Sequence, residues 1–145
     1  MLYNSNSWSA PAIFLENLDI THRKHLRRIL NIWWPKGSIS NRELYKRCKT
    51  EKLSDRVCRF RWTMFGHILR SHIETPAFLS LKFAVTNNLK SRKGRHQNNL
   101  FNVLLTDLKS ILNMELKTEE NLNNIRAVAF DRKFWRDSFY KCKGD

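Results

Sequence analysis

The sequence predicts an all-α protein, an irregular helical bundle of about five to six short helices with a mobile basic loop. Hydrophobic residues make up 41% of the 145 residues and aromatic residues 12%, which is enough for a packed core and unlike a disordered chain. Only four glycines and three prolines are present, which disfavours an all-β fold with many tight turns. Apolar side chains instead recur every three or four residues, as on one face of an α-helix.

The first predicted helix runs from Pro11 to Trp33. Its apolar stripe consists of Phe14, Leu15, Leu18, Leu26, Ile29, Leu30 and Trp33. Its opposite face is basic and consists of Arg23, Lys24, Arg27 and Arg28. His22 and His25 project close to the apolar stripe, and we interpret them as structural histidines, with metal binding as the alternative. Pro35 and Gly37 indicate that the helix ends before them.

A strong helix start signal follows. Ser40 and Glu43 form an S-x-x-E capping box, and Ile39 and Leu44 occupy the two positions of a hydrophobic staple. A short second helix is therefore expected at 41–49.

The third predicted helix starts at Ser54, its expected cap, and ends near Arg70. On a helical wheel most of its side chains form a broad apolar arc, and we expect its aromatic rings to pack in the core rather than stack on bases. The remaining polar strip consists of Arg59, Thr63, Gly66 and Arg70. Arg61 falls inside the apolar arc, where it must pair with a carboxylate, extend its charge to solvent or reach a phosphate. Gly66 costs roughly 1 kcal/mol relative to alanine inside a helix, which predicts that another helix or a nucleic-acid strand approaches the backbone there.

Further helices are predicted on either side of one basic loop. Thr75 suits the cap of a helix over 76–85, which begins with proline. The stretch TNNLKSRKGRHQNN then breaks the periodicity, so we expect an exposed, mobile loop at 86–97. One amphipathic helix is expected at 100–112, and a final helix from about 118 to 139.

These elements divide the chain into three predicted parts with unequal charge. They are a basic helical region at 1–85, the basic loop at 86–97 and a C-terminal helical pair at 98–145. The net charge is +14, from 27 Lys and Arg against 13 Asp and Glu. Residues 1–97 carry 19 basic and 6 acidic side chains, whereas 98–145 carry 8 and 7. Such an excess indicates a polyanionic partner, most often nucleic acid; a basic surface without a specific partner is the alternative.

Residue patterns typical of catalysis are absent from the sequence. The acids are scattered rather than clustered to hold two metal ions, and no glycine-rich phosphate loop or local signature of a catalytic triad is present. The cysteines Cys48, Cys58 and Cys142 are widely spaced and fit a reducing, intracellular compartment. Cys58 with His67 and His72 loosely resembles part of a zinc site, but a continuous helix would hold Cys58 and His67 roughly 13 Å apart. Neither a signal peptide nor an apolar run of membrane-spanning length is present, so we expect a soluble chain.

Four segments together resemble the region that follows the polymerase core in reverse transcriptases of non-LTR (LINE-type) retrotransposons. LYNSNSW is similar to a Tyr-Gly-x-Glu-x-Trp segment, and HRKHLRRILNIWWPKGSISNRELYKR to a Leu-Arg-Arg-Ile-Leu segment with its tryptophan and next helix. RFRWTMFGHILRS resembles Arg-Leu-Arg-Trp-x-Gly-His-x-Leu-Arg through Arg59, Arg61, Trp62, Gly66, His67, Leu69 and Arg70. AFDRKFWRDSF resembles a closing Ala-x-Asp-Arg-x-x-Trp-Arg through Ala129, Asp131, Arg132, Trp135 and Arg136. The resemblance spans nearly the whole chain, with His96 where the family's loop usually has proline.

The resemblance implies a thumb and post-thumb region that holds template RNA and an RNA–DNA duplex beside a polymerase. The fingers and palm, with their catalytic aspartates and the Mg²⁺ that the polymerase needs, are expected to lie before Met1 in a parent protein, which in this clade also carries an endonuclease. For this chain we therefore expect no enzymatic activity, no cofactor and no metal site. The expected location is the nucleus or a cytoplasmic ribonucleoprotein.

Basic side chains are the candidates for phosphate contact. The set consists of Arg23, Lys24, Arg27, Arg28, Arg59, Arg61, Arg70, Lys90, Arg92, Lys93 and Arg95. Two alternatives stay open from the sequence. The chain could be a helical protein-interaction module whose apolar surface packs on the missing palm and fingers, or an inert relic of a truncated element.

Overall fold

A computed structural model of the protein describes residues 2–33, 37–87 and 99–141, and all regular structure within these ranges is helical. These ranges contain seven α-helices: α1 (Ala12–Ile29), α2 (Asn41–Arg47), α3 (Leu53–Arg70), α4 (Pro76–Thr86), α5 (Leu100–Leu112), α6 (Glu119–Phe130) and α7 (Arg132–Lys141). A 3-10 turn at Ser5–Ser7 precedes them. The predicted all-α class is confirmed, with more helices in the described part of the chain than the sequence indicated.

Helix α3 is the centre of the fold. It packs against the N-terminal 3-10 turn and against α1, α4, α5, α6 and α7. Its side chains Val57, Trp62, Phe65 and Leu69 are buried, and each buried side chain of this size contributes roughly 1.5–3 kcal/mol. The rings of Trp62 and Phe65 are thus packed inside the protein, as the apolar arc predicted. The expected core position was wrong for Phe60, which is 41% exposed.

One hydrophobic core combines residues from both sides of the segment 88–98. Its α3 and α4 members include Trp62, Phe65, Leu69, Phe78, Leu81 and Val85. Its members from the C-terminal part include Leu104, Leu108, Leu116, Leu122, Ile125, Ala129, Trp135 and Phe139. The last three helices therefore complete the core that α3 begins.

The N-terminus of α3 is capped by a side chain from α1, and the prediction that Ser54 caps it was wrong. Ser54 lies inside the first turn, and its backbone N–H and hydroxyl both donate to the carboxylate of Asp19, at 3.0 and 2.6 Å. A carboxylate is stabilised there because it accepts an otherwise unpartnered N–H at the positive end of the helix dipole. Asp19 is buried, so this contact also ties α1 to α3.

Helix α1 ends at Ile29, before the predicted end at Trp33. Asn31 adopts a left-handed conformation with φ 54°, and the N–H of Ile32 donates to the carbonyl of Arg27 at 2.9 Å. This is the Schellman arrangement, which asparagine accepts more readily than most residues. Asn31 indicates this helix end in the sequence, but the apolar periodicity continues past it to Trp33 and predicted a longer helix.

The final predicted helix is two helices, α6 and α7, rather than one. Asp131 leaves the helical conformation with ψ 90°, and its carboxylate accepts the backbone N–H of Phe134 at 2.9 Å. Aspartate competes with the helix by bonding a nearby N–H, and so begins a new helix. The break lets α7 turn back along α3.

The second helix begins as predicted. The hydroxyl of Ser40 accepts the backbone N–H of Glu43 at 3.2 Å, whereas the carboxylate of Glu43 pairs with Arg47 one turn later at 2.9 Å. The Ser40 half of the capping box is thus present. Within the described residues, no helix combines the length and the apolar character that a membrane crossing requires.

Candidate nucleic-acid interface

Two tryptophans hold α7 against α3. The rings of Trp62 and Trp135 stack with centroids 4.0 Å apart and planes 2° from parallel. Each indole N–H donates to the backbone carbonyl of the other residue, Trp62 Nε1 at 2.8 Å and Trp135 Nε1 at 3.2 Å. Both rings are buried, so neither N–H has water as a partner. The pair fixes the distance between the two helices and their register.

Gly66 is the point where Trp135 meets the α3 backbone. A Cβ at this position would lie 2.4 Å from Nε1 and 2.8 Å from Cδ1 of the Trp135 ring. Those distances are far below van der Waals contact, and the ring is held by its stack and its hydrogen bond. The close approach that the glycine predicted is therefore made by a neighbouring helix, one of the two possibilities that the sequence left open.

Beside the tryptophan pair, α3 and α7 border a recess of about 590 Å³, which we name the α3–α7 cleft. Its lining includes the four arginines Arg59, Arg70, Arg132 and Arg136, together with His67. The lining also includes the aromatic residues Phe60 and Tyr140. None of the described residues that line the cleft is an aspartate or glutamate. The cleft thus combines positive charge with aromatic surface.

The α7 side of the cleft is one helical stripe. Arg132, Arg136 and Tyr140 are spaced four residues apart, so they lie on the same face of α7. The intervening Trp135 and Phe139 point into the core. The α3 side carries the polar strip, of which Arg59, Thr63 and Arg70 line the cleft while Gly66 is buried.

Arg59 is held in place by two partners. Its Nη2 pairs with Glu51 at 2.5 Å, and its Nη1 donates to the hydroxyl of Tyr140 at 3.2 Å. The hydrogen bond to Tyr140, followed by the attraction of Glu51, raises the pKa of Arg59. Because Glu51 neutralises part of its charge, Arg59 serves here mainly to position Tyr140.

Arg70 lies at the opposite end of the cleft, close to the start of α7. Its Nη1 donates to the carbonyl of Ala129 at 2.9 Å. Burial, followed by repulsion from Arg132, lowers the pKa of Arg70. Among the described residues, no carboxylate lies within 4 Å of either guanidinium. Two like charges therefore share one end of the cleft without an acidic partner.

Arg61 forms a buried ion pair on the other side of α3. Its Nε and Nη2 both lie 2.6 Å from Oδ2 of Asp107 on α5. The side chain of Arg61 is 2% exposed and that of Asp107 18%. The expectation that the stem of Arg61 is buried beside an acid is confirmed, and the guanidinium offers almost no surface to a phosphate in this conformation.

The four basic residues of α1 divide into two groups. Arg27 donates to Asn41 Oδ1 at 2.7 Å and so fastens α1 to the start of α2, and Arg23 lies beside Tyr45 in a shallow recess next to α2. Lys24 and Arg28 are exposed. The α1 residues do not line the α3–α7 cleft. Lys90, Arg92, Lys93 and Arg95 lie outside the described residues.

Arg132 and Arg136 line the cleft but are not among the phosphate contacts predicted from the sequence. Both occur in the AFDRKFWRDSF segment that carries the resemblance, and their spacing of four was the available signal. The sequence predicted one helix from about 118 to 139, so it did not indicate that a separate helix places these two arginines beside α3. In the part of the chain that the structure describes, no group of three His, Cys, Asp or Glu side chains lies close enough to hold a metal ion.

Comparison with known proteins identifies no relative of this chain. The chain matches no family model, no curated protein and no solved structure.

Proposed function

We propose that this chain is a non-catalytic, nucleic-acid-binding region, the C-terminal thumb and post-thumb portion of a retrotransposon reverse transcriptase. The observation that carries the proposal is the convergence of four arginines on the α3–α7 cleft. Arg59 pairs with Glu51 and Arg136 lies 3.7 Å from Asp137, whereas Arg70 and Arg132 have no acidic partner among the described residues. Arginine guanidinium groups donate paired hydrogen bonds to phosphate oxygens, and a surface of this kind binds a nucleic-acid backbone. The partner is RNA or an RNA–DNA duplex.

Two motifs that are far apart in the sequence meet at this cleft, which supports the resemblance. The segments 59–71 and 129–139 each match part of the family pattern. Trp62 and Gly66 of the first segment pack directly against Trp135 of the second. Because the two segments pack against each other, their joint match to the family pattern is stronger support for the resemblance than either match alone.

Catalysis is assigned to the parent protein and not to this chain. The parent's palm and fingers would supply the catalytic aspartates and Mg²⁺. The residues of the cleft would hold the nucleic-acid backbone beside that active site. Lys24 and Arg28 on α1 are exposed positive charges that could contact the same nucleic acid, and the sequence of segment 86–97 contains further basic residues. We place the region in the nucleus or in a cytoplasmic ribonucleoprotein.

The test is the binding of the full chain to a labelled RNA–DNA duplex and to a labelled single-stranded RNA, followed by fluorescence anisotropy over a range of salt concentrations. Each neutralised phosphate releases counterions, so the logarithm of the affinity should fall linearly with the logarithm of the salt concentration. Replacing both Arg132→Gln and Arg136→Gln should weaken binding and reduce the salt slope by about one unit for each lost phosphate contact.

The matched control is Lys133→Gln, which removes one charge from the same helix at an exposed position that does not line the cleft. It should change affinity less than either arginine replacement alone. An affinity that is independent of salt, or equal losses for Lys133→Gln and Arg132→Gln, would contradict the proposed site.

A second candidate function is a helical protein-interaction module that packs on the parent's palm and fingers. It is favoured by exposed apolar side chains on and just after α1, namely Ile13, Phe14, Ile29, Leu30 and Trp33. Monomeric proteins rarely leave large apolar patches in water. Analytical ultracentrifugation of the isolated chain distinguishes the two candidates, since self-association favours the module and a compact monomer that binds RNA favours the first proposal.

A further inference from the structure

We infer that the α3–α7 cleft takes a single nucleic-acid strand rather than the flank of a duplex, with one phosphate between Arg70 and Arg132 and a nearby base stacked on Tyr140. This inference rests on the proposed function and specifies which form of nucleic acid the same site recognises. It is carried by the placement of charge at one end of the cleft and of aromatic surface at the other.

The phosphate position follows from the Arg70 and Arg132 pair. Arg70 is oriented by its hydrogen bond to the carbonyl of Ala129, which leaves its other N–H groups available toward the cleft. Arg132 is exposed and has no acidic partner in the described part of the chain. A phosphate between two guanidiniums accepts hydrogen bonds from both and removes their mutual repulsion.

The base position follows from Tyr140. Its side chain is 51% exposed, its hydroxyl accepts a hydrogen bond from Arg59, and its ring packs edge-on against Phe139 with centroids 5.7 Å apart. The ring is therefore positioned before any ligand arrives. Phe60, 41% exposed, also lines the cleft from α3. An exposed aromatic ring beside arginines is the usual platform for an unpaired base.

The spacing of the two ends suits a strand that runs along the cleft. Arg132 and Tyr140 are eight residues apart on one face of α7, which places their backbones about 12 Å apart at 1.5 Å per residue. The recess of about 590 Å³ lies within the range of about 300–1,000 Å³ that accommodates small-molecule ligands, so a nucleotide fits inside it. Along the flank of a duplex the base faces are covered by their stacked neighbours, and only the terminal pairs leave a face open, so Tyr140 would have no partner there.

The experiment compares the full chain's affinity for a labelled oligouridine with its affinity for a blunt RNA–DNA duplex at equal salt. The oligouridine should bind more tightly. Tyr140→Leu should weaken oligouridine binding about tenfold, while Tyr140→Phe, which keeps the ring but loses the hydrogen bond from Arg59, should weaken it clearly less. Phe83→Leu is the control, because Phe83 is an exposed aromatic residue on α4 that does not line the cleft.

An abasic oligonucleotide of equal length tests base stacking by changing the ligand instead of the protein. It should bind the unmodified chain more weakly than oligouridine, and Tyr140→Leu should remove that difference. Equal affinity for oligouridine and blunt duplex, or equal affinity for oligouridine and the abasic strand, would overturn the single-strand inference and leave the proposed function standing. If neither duplex nor single strand binds, both the proposed function and this inference are wrong.

Discussion

Trp62 and Trp135 bond to each other's backbone across a stacked ring pair, although they are 73 residues apart in the sequence. The arrangement is reciprocal, since each ring buries the other and each N–H satisfies a carbonyl of the facing helix. Neither hydrogen bond can form unless α3 and α7 have the correct register. The walls of the cleft between them consequently depend on this pair.

The first prediction concerns Trp135→Phe. The replacement removes the N–H donor to the carbonyl of Trp62 and leaves a partly empty space beside Gly66, so we expect a loss of roughly 1–3 kcal/mol in the free energy of unfolding. Urea denaturation measures it. Trp33→Phe is the control, because Trp33 is 56% exposed and should change stability by less than about 0.5 kcal/mol. Equal effects of the two replacements would contradict the role of the tryptophan pair.

The second prediction concerns Gly66→Ala. Helix propensity alone predicts a gain of roughly 1 kcal/mol. The added Cβ would instead meet the Trp135 ring at 2.4 Å, so we expect a net loss of roughly 1–3 kcal/mol from overpacking. At Gly37 the nearest atom to an added Cβ is Cγ2 of Ile32 at 3.6 Å, an ordinary contact. Gly37→Ala should therefore be close to neutral, and a stabilising Gly66→Ala in thermal melts would show that Trp135 can move aside.

The helical class and the residues of the polar strip of α3 could be predicted from the sequence because both depend on local periodicity. That the strip faces α7, with Gly66 buried against Trp135, could not. Arg59 and Arg70 lie on that strip and line the cleft. Local pattern also predicted that Arg61 needs an acid. It could not identify Asp107 as that acid, because the pair joins residues 46 positions apart through the packing of α3 on α5.

The remaining parts of the site depend on contacts that no local pattern records. The boundary between α6 and α7 depends on one side-chain hydrogen bond of Asp131, and without it Arg132 and Arg136 would not face α3. The cap of α3 comes from Asp19, 35 positions away, and not from the serine that the motif suggested. Caps and ion pairs between residues far apart in the sequence can be identified only from the packed arrangement of the helices.

The third prediction concerns the pH dependence of stability through His22. Its ring packs against Tyr45 with centroids 5.9 Å apart, and burial, more than any neighbouring charge, lowers its pKa below the ordinary 6.5. As the pH falls below 6.5, His22 is protonated in the unfolded chain before it is protonated in the folded one. Proton binding therefore stabilises the unfolded state, and the free energy of unfolding decreases. Above that pH both states are neutral at this site and the contribution is constant.

Urea denaturation at several pH values between 7 and 5 tests this. His22→Gln should lose less stability on acidification than the unmodified chain. His25→Gln is the matched control, because His25 lies on the same helix and is exposed. A pH profile that is identical for His22→Gln and the unmodified chain would show that His22 does not contribute.

The fourth prediction is an asymmetry between the partners of the buried ion pair. Removing Asp107 leaves the charge of Arg61 in a site where its side chain is 2% exposed, so Asp107→Leu should cost roughly 3–5 kcal/mol. Removing Arg61 leaves Asp107, which is 18% exposed and can be solvated, so Arg61→Met should cost clearly less. The double replacement should be less destabilising than Asp107→Leu alone, because it leaves no buried charge.

A double-mutant cycle in urea, with RNA affinity measured on the same four proteins, separates structure from binding at Arg61. If the charge serves only the ion pair, the double variant folds and keeps its RNA affinity, because the α3–α7 cleft lies on another face of α3. If the double variant folds with the stability of the unmodified chain but loses RNA binding, Arg61 reaches the nucleic acid in a conformation other than the one described. Equal costs for the two single replacements would contradict the asymmetry in burial from which the prediction starts.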